Sequence, residues 1–548
     1  MAVMASWMSF AAAQTPLDGT LPHQSPLTIV PPAPVLVQAE QPKEMPKDKA
    51  EPVPAPAAPA APAAAPAHVG NGCDYGCCDG AGMKCKCPIV WFKPWTCEDL
   101  EMKPADPVAT YCGCKRFFHC PKKEEEAKEE GNGNGEKKNG NGEKKNGNEK
   151  KNGNGEKKDG NGNGEAAAEE PEKEETLTPL MQMIKCAKPC CYERMKKRGD
   201  NFYGWIEAGF TGNFASPSDR RNFGTGYNWR SNDFQLNQVF FIYENTLEQD
   251  DTVNFGYNIS VMAGTDAPFN VQLGLFDDVV GTGQVNKIGF DMPQFFVEGH
   301  IPGFLGTNGL DIKIGKWYTL VNYEVIPAIG NFFYSHTYNF FFGPFNCTGA
   351  LATWHVSDTI DIYGGVFRGW EKWEDNNQRP SYTAALSWKS CDGRLLWFTA
   401  AQTGPEQDDN NSDYRTAVSS YIKYIGGSCK QWETYICSNY SVDFNAVTDD
   451  DGVESVAPWY DVNGGVFYTI DPRMKVGFRA EWFADQTGYR TGTPGTYYDF
   501  TVGVNYFPYQ NLRVRPELRW DYSPNATPYD DGTSHNQGTF AVDVIWQF

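Results

Sequence analysis

From Phe202 onward the chain repeats one pattern: segments of about 8 to 14 residues in which apolar and polar side chains alternate, joined by connections that are long and short in turn. Val253, Phe255, Tyr257, Ile259 and Val261 alternate with Asn254, Gly256, Asn258 and Ser260. Met474, Val476, Phe478, Ala480 and Trp482 alternate with Lys475, Gly477, Arg479 and Glu481. A period of two puts the two classes on opposite faces of a strand. Sixteen such segments can be counted. A soluble sandwich shows the same alternation, so the connections decide. Gln249 to Asp251, Gly303 to Gly309, Ser357-Asp358, Ser390 to Gly393, Gly426-Gly427, Asp471-Pro472 and Pro508 to Gln510 are the short set. Asn213 to Asp233, Thr265 to Asp291, Val321 to Phe345, Glu371 to Arg379, Thr403 to Asp413, Asp443 to Ser455, Asp485 to Gly495 and Ser523 to Asn536 are the long set. Short turns at one end and long loops at the other are the habit of barrels that cross an outer membrane. The fold class is therefore all-β: a transmembrane antiparallel β-barrel of about 16 strands, preceded by a largely disordered N-terminal arm.

The arm divides by composition. Residues 1–14 read as a truncated signal peptide, an apolar run that lacks a basic start. Residues 15–67 are a Pro/Ala-rich extended spacer, 68–121 a cysteine-rich module, 122–176 a Lys/Asn/Gly-rich disordered linker and 177–200 a short helix before the barrel domain, 201–548. Nine cysteines lie between Cys73 and Cys120, and Cys186, Cys190 and Cys191 follow. In an exported chain the expectation is a disulfide framework. The C-x-C and CC spacings do not match paired zinc-ribbon ligands, so no metal site and no cofactor is expected. Cys429 and Cys437, in the barrel, could pair.

From residue 200 on there are 41 Asp and Glu against 21 Lys and Arg, which accounts for −20 of the chain's −21. That acidity disfavours nucleic acid as a partner, since binding it requires a basic footprint. No run of about 18 apolar residues exists to cross a membrane as a helix.

The segments Phe234-Gln-Leu-Asn-Gln-Val-Phe-Phe-Ile-Tyr243, Gly315 to Leu320, Asn331 to His336 and Gly349 to Thr353 resemble the OmpL-like β-barrel porins of the porin-2 type, over roughly residues 202 to 548. The resemblance implies an outer-membrane location and a transport role. The arm is not part of it. The last segment places Phe540, Val542, Val544, Trp546 and Phe548 on one face; Trp546 and the final Phe548 resemble the assembly signal that such barrels present to the barrel assembly machinery. A homo-trimer is expected by analogy alone.

Val321 to Phe345 carries one formal charge, Glu324, among Tyr323, Phe332, Phe333, Tyr334, His336, Tyr338, Phe340 and Phe341. Exposed, it would be an aggregation patch, so it is expected to fold inward as a constriction. Arg473, Lys475, Arg479 and Glu481 on one strand, with Arg513, Arg515, Glu517 and Arg519 on another, are expected to line the pore. They read either as a basic ladder that attracts anions or as a cross-strand charge network holding the wall. The acidic outer loops, with Asp408-Asp409, Asp449 to Asp451 and Asp530-Asp531, are a solvated surface or a gatherer of cations.

The functional expectation is a water-filled channel in the lipid of the cell outer membrane for passive diffusion of small hydrophilic solutes or ions, with the arm in the periplasm. The alternative is a plugged structural or adhesive envelope barrel cross-linked through the cysteines. No catalytic residue is expected, because none of His300, His336, His355 and His535 stands in a spacing that joins it to Ser or Asp.

Overall fold

The computed structural model describes residues 91–95, 177–277, 288–448 and 452–548. The expected signal segment, spacer and linker, and all of the cysteine-rich module except 91–95, lie outside the described residues. So do residues 278–287 and Asp449 to Asp451, which belong to two connections between strands.

Sixteen strands form one closed antiparallel barrel in which each pairs with its neighbours in sequence. They are β1 (Asp200–Asn213), β2 (Asp233–Asn245), β3 (Asn254–Gly264), β4 (Gly289–Ile301), β5 (Gly309–Tyr318), β6 (Asn346–Ser357), β7 (Ile360–Phe367) and β8 (Ser381–Lys389). The second half comprises β9 (Leu395–Pro405), β10 (Tyr414–Gly426), β11 (Trp432–Thr448), β12 (Glu454–Asp471), β13 (Met474–Asp485), β14 (Gly495–Tyr509), β15 (Leu512–Tyr522) and β16 (Asn536–Gln547). The seam joins β16 to β1, from Trp205 opposite Gln547 to Asn213 opposite Thr539. Closure leaves no edge strand, which a sheet in lipid requires.

Burial is inverted relative to a soluble protein. Phe255 is 76% exposed and Val297 61%, whereas Gln238, Ser260 and Thr501 are fully buried. The apolar face looks outward, to lipid. Aromatic rings collect near both ends of that face. Tyr440, Tyr460 and Trp482 form a chain near the long loops, and Trp432 lies 4.5 Å from Tyr468 near the short turns. Such girdles sit at headgroup depth.

Two connections differ from expectation. The β11–β12 hairpin is not a long open loop from Asp443 to Ser455: the strands keep pairing, through a register shift between Asp443 and Val447, to Thr448 opposite Glu454. The segment before the barrel is two helices, α1 (Pro179–Ala187) and α2 (Pro189–Arg198), because Pro189 has no N–H to continue the first. Gly199, left-handed at φ 76°, ends α2 and turns the chain into β1. Cys429 and Cys437 are both free thiols, so they do not form the pair that their proximity in sequence suggested. Cys429 sits in the β10–β11 turn, whereas Cys437 is buried on the inner face of β11.

Candidate functional site

The segment between β5 and β6, residues 319–345, lies against the inner wall of β11 to β16, β1 and β2. Backbone groups carried away from water need partners, and here the wall's side chains provide them. Arginines take the loop's carbonyls: Arg513 donates to Ala328 O at 2.8 Å, Arg515 to Phe333 O at 2.8 Å and Arg479 to Ser335 O at 2.8 Å. Arg519 donates to His336 O. Carboxylates take its N–H groups: Glu517 accepts from Tyr334 N at 2.8 Å and Ser335 N at 3.1 Å, and Glu481 from Tyr338 N at 2.7 Å and Asn339 N at 3.0 Å. On β2, Gln238 donates to Ile326 O and accepts from Ala328 N.

The aromatic side chains lock the same contact. Tyr323 stacks on Tyr435 with ring centres 3.7 Å apart, and Phe332 stacks on Phe467 at 4.4 Å. Gly477 leaves room for Phe332, since a Cβ there would stand 2.5 Å from its ring. Tyr334 donates to Asn237 at 2.7 Å, and Tyr338 to Asp521 at 2.9 Å. The short helix α3 (Tyr338–Phe342) is capped by Thr337, whose hydroxyl accepts from Phe340 N. Phe340 stacks on His336 at 4.1 Å, and Phe341 meets Phe269 of the preceding long loop at 5.5 Å.

The arginines are also paired along the wall. Arg479 meets Asp499 at 2.8 Å and Glu324 of the loop at 2.9 Å. Arg515 lies between Glu207 at 2.6 Å and Asp543 at 2.7 Å, and Arg519 meets Asp521 at 2.7 Å. Burial opposes charge on Glu324, but the Arg479 guanidinium and His336 outweigh it and hold this loop carboxyl at about 2. Of the eight strand residues singled out from sequence, Arg479, Glu481, Arg513, Arg515, Glu517 and Arg519 come together beneath the loop and are buried. Lys475 stands on β13 nearer the turn. Arg473 is not on a strand: it sits exposed in the β12–β13 turn, 4.0 Å from Asp471. Among the long connections, Asp531 accepts the N–H groups of Ser218 and Asp219, which ties the β15–β16 loop to the β1–β2 loop.

A second cluster gives two of the barrel's histidines acidic partners that their sequence spacing did not reveal. His300 Nδ1 lies 2.6 Å from Asp311, His355 Nε2 lies 2.8 Å from the same carboxylate, and His355 Nδ1 lies 2.7 Å from Asp361. Gln249 of the β2–β3 turn joins them at 3.0 Å from Asp311. Two hairpins make the cluster, because β4–β5 sets His300 opposite Asp311 and β6–β7 sets His355 opposite Asp361. The signal lay in mirrored spacing about each turn, visible only once the register is known. Among the described residues no group of His, Cys, Asp and Glu has the arrangement of a metal site.

The protein-family model described as "Putative beta-barrel porin-2, OmpL-like" matches residues 200–548. No curated protein matches the chain. Among solved structures it is similar to the outer membrane channel DcaP of Acinetobacter baumannii, at 10% identity and a TM-score of 0.44 over 64% of this chain and 97% of that one. It is also similar to Pseudomonas putida OprB, at 13% identity and a TM-score of 0.43 over 65% and 96%. An anion-selective porin from Comamonas acidovorans gives 9% identity and a TM-score of 0.42 over 64% and 99%. Through its barrel, residues 200–548, the chain belongs to the OmpL-like putative beta-barrel porin-2 family.

Proposed function

We propose that the protein is a passive channel for small hydrophilic solutes and ions, in which the loop of residues 319–345 forms the constriction. Membership of a porin family and an outer-membrane barrel set the frame. The observation that carries the finer reading is the way the loop is fastened: its backbone is bound by arginines and glutamates of one side of the inner wall, so the opposite side is left for passage. On this reading Arg479, Arg513, Arg515 and Arg519 hold the constriction and do not themselves attract solute. Selectivity then falls to charged groups on the facing strands, among them Asp311, Asp361 and Lys423.

The short-turn end, where α2 enters β1, is the periplasmic end in this reading, and transport rather than catalysis is the activity. Cys190 and Cys391, both near that end, are disulfide-bonded, which supports an oxidising compartment. Trp546 and Phe548 serve as the signal read during barrel assembly, and a trimer is part of the same proposal. Single-channel conductance of the full chain in a planar bilayer, with selectivity read from a salt gradient, tests it. Stable ohmic steps are expected. A folded barrel that stays silent would overturn the channel and favour a plugged envelope wall.

A further inference from the structure

Residues Trp91-Phe-Lys-Pro-Trp95 stand far from the barrel in sequence, yet the structure seats them on its outer face at the short-turn end. Lys93 N donates to Asn511 Oδ1 at 2.9 Å, and Gln510 N donates to Lys93 O at 2.8 Å. Asn511 Nδ2 and Trp546 Nε1 donate to Trp91 O at 2.7 and 3.1 Å. Trp95 Nε1 donates to Phe507 O at 2.8 Å, and Gln510 Nε2 to Pro94 O at 3.0 Å. Three ring contacts accompany them: Trp91 with Trp546 at 5.9 Å, Phe92 with Tyr509 at 5.2 Å and Phe92 with Trp546 at 5.8 Å. The β14–β15 turn and the end of β16 thus bind the segment through both its backbone and its rings.

The side of the barrel is what gives this contact meaning. Trp546 shares its face with Phe540 and Val544, which look outward to lipid, and Tyr509 stands on that face too. Trp91 and Phe92 remain 40% and 47% exposed, so two large rings stay uncovered beside the girdle. At that height the surroundings are the headgroup layer, where such rings settle.

We propose that residues 91–95 are an interfacial anchor. They dock on the rim of their own barrel and insert Trp91 and Phe92 into the phospholipid headgroup layer at the short-turn end. The inference rests on the barrel lying in a bilayer and not on whether it conducts.

The test uses the full chain refolded into vesicles of phosphatidylethanolamine and phosphatidylglycerol that include a phospholipid bearing a diazirine next to its headgroup. After photolysis, peptides are mapped by mass spectrometry. Adducts are expected on Trp91 or Phe92 as well as on the girdle residues Trp432 and Tyr506. Asn511→Ala should cut labelling at 91–92 about ten-fold, the scale of losing two ordinary hydrogen bonds, with Trp432 unchanged. In a Trp91→Ala, Phe92→Ala double variant, which leaves every barrel residue in place, labelling of Trp546 and Tyr509 should rise. Adducts on Trp432 and Tyr506 with none on 91–95 would overturn the anchor, and equal labelling in Asn511→Ala would overturn its docking to the rim.

Discussion

The two sides of the inner wall are built on different principles. From β13 to β16 the inward positions carry long charged groups, Arg479, Glu481, Asp499, Arg513, Arg515, Glu517, Arg519 and Asp543, almost all buried under the loop. From β6 to β10 many inward positions are small or hydroxylated, such as Thr353, Ala385, Ser387, Ala400, Ala417 and Ser419, set among the rings of Tyr363, Phe398 and Tyr421 and the charged Asp361, Arg415 and Lys423. One side has its charges matched to a partner segment, and the other sets a few charges paired strand to strand, such as Arg415 with Asp443 at 2.6 Å, among mostly short groups. The difference shows that charge on an inner strand face is not by itself a statement about solute, since a folded-in loop is as good a partner for an arginine as water is.

That contrast can be broken by substitution. The largest effect is expected from Arg515→Ala, which strands Glu207, Asp543 and the Phe333 carbonyl, while the Ala328 and Asn331 carbonyls keep Arg513; removing one member of a buried ion pair costs about 3–5 kcal/mol, readable in urea unfolding from vesicles. If stability does not change, the arginine wall is not what holds the barrel and loop together. Glu481→Leu leaves the N–H groups of Tyr338 and Asn339 without an acceptor and should cost about 1–3 kcal/mol, with current fluctuations that the parent lacks. Tyr323→Ala removes the stack on Tyr435, worth about 0.5–1.5 kcal/mol beyond its buried area, and should raise conductance by widening the gap the loop leaves.

On the other side, Thr353→Lys should move stability by no more than about 0.5 kcal/mol yet shift the reversal potential in a salt gradient toward anions. An unchanged potential there would mean that solute does not pass along β6. The smallest effect belongs to the long loops. Hydrogen bonds from the Ser218 and Asp219 amides hold Asp531 below its ordinary carboxyl value of 3.8. A depressed acid contributes its stabilisation above the ordinary value and loses it as pH falls through the lowered one. Hydrogen exchange at those two amides, corrected for intrinsic rate, should therefore stay flat from neutral pH to about 4 and quicken only in stronger acid.

The strands were legible because alternation is a local property: residues 253–261 and 474–482 each declare two faces without knowing their neighbours. The loop was legible for a related reason, as eight aromatic or imidazole side chains around one carboxylate have no stable place in open water. What covers a face was not legible. Arg479 and Arg515 read as inward residues, but only contact with a segment more than a hundred residues away in sequence shows that they bind backbone and not solute. The same limit hid the His300, Asp311, His355 and Asp361 cluster, which depends on register, and the seat of residues 91–95, whose sequence reads only as an aromatic patch in an arm. Pro189, by contrast, was a local signal that a single helix could not run through, and it was missed.

The seam has a consequence for how the molecule is made. Trp205 and Gln547 are paired, although they are 342 positions apart, and the bonds from Gly204 to Phe548 complete the ring. Until β16 arrives, every assembled portion of the sheet has two open rims of unpaired N–H and C=O groups, which is intolerable in hydrocarbon and adhesive in water. Closure cannot proceed gradually from one end with a stable protein at each stage. Both rims disappear in one event, the meeting of β1 with β16, so the two ends of the barrel's sequence share the one contact on which its tolerance of lipid depends.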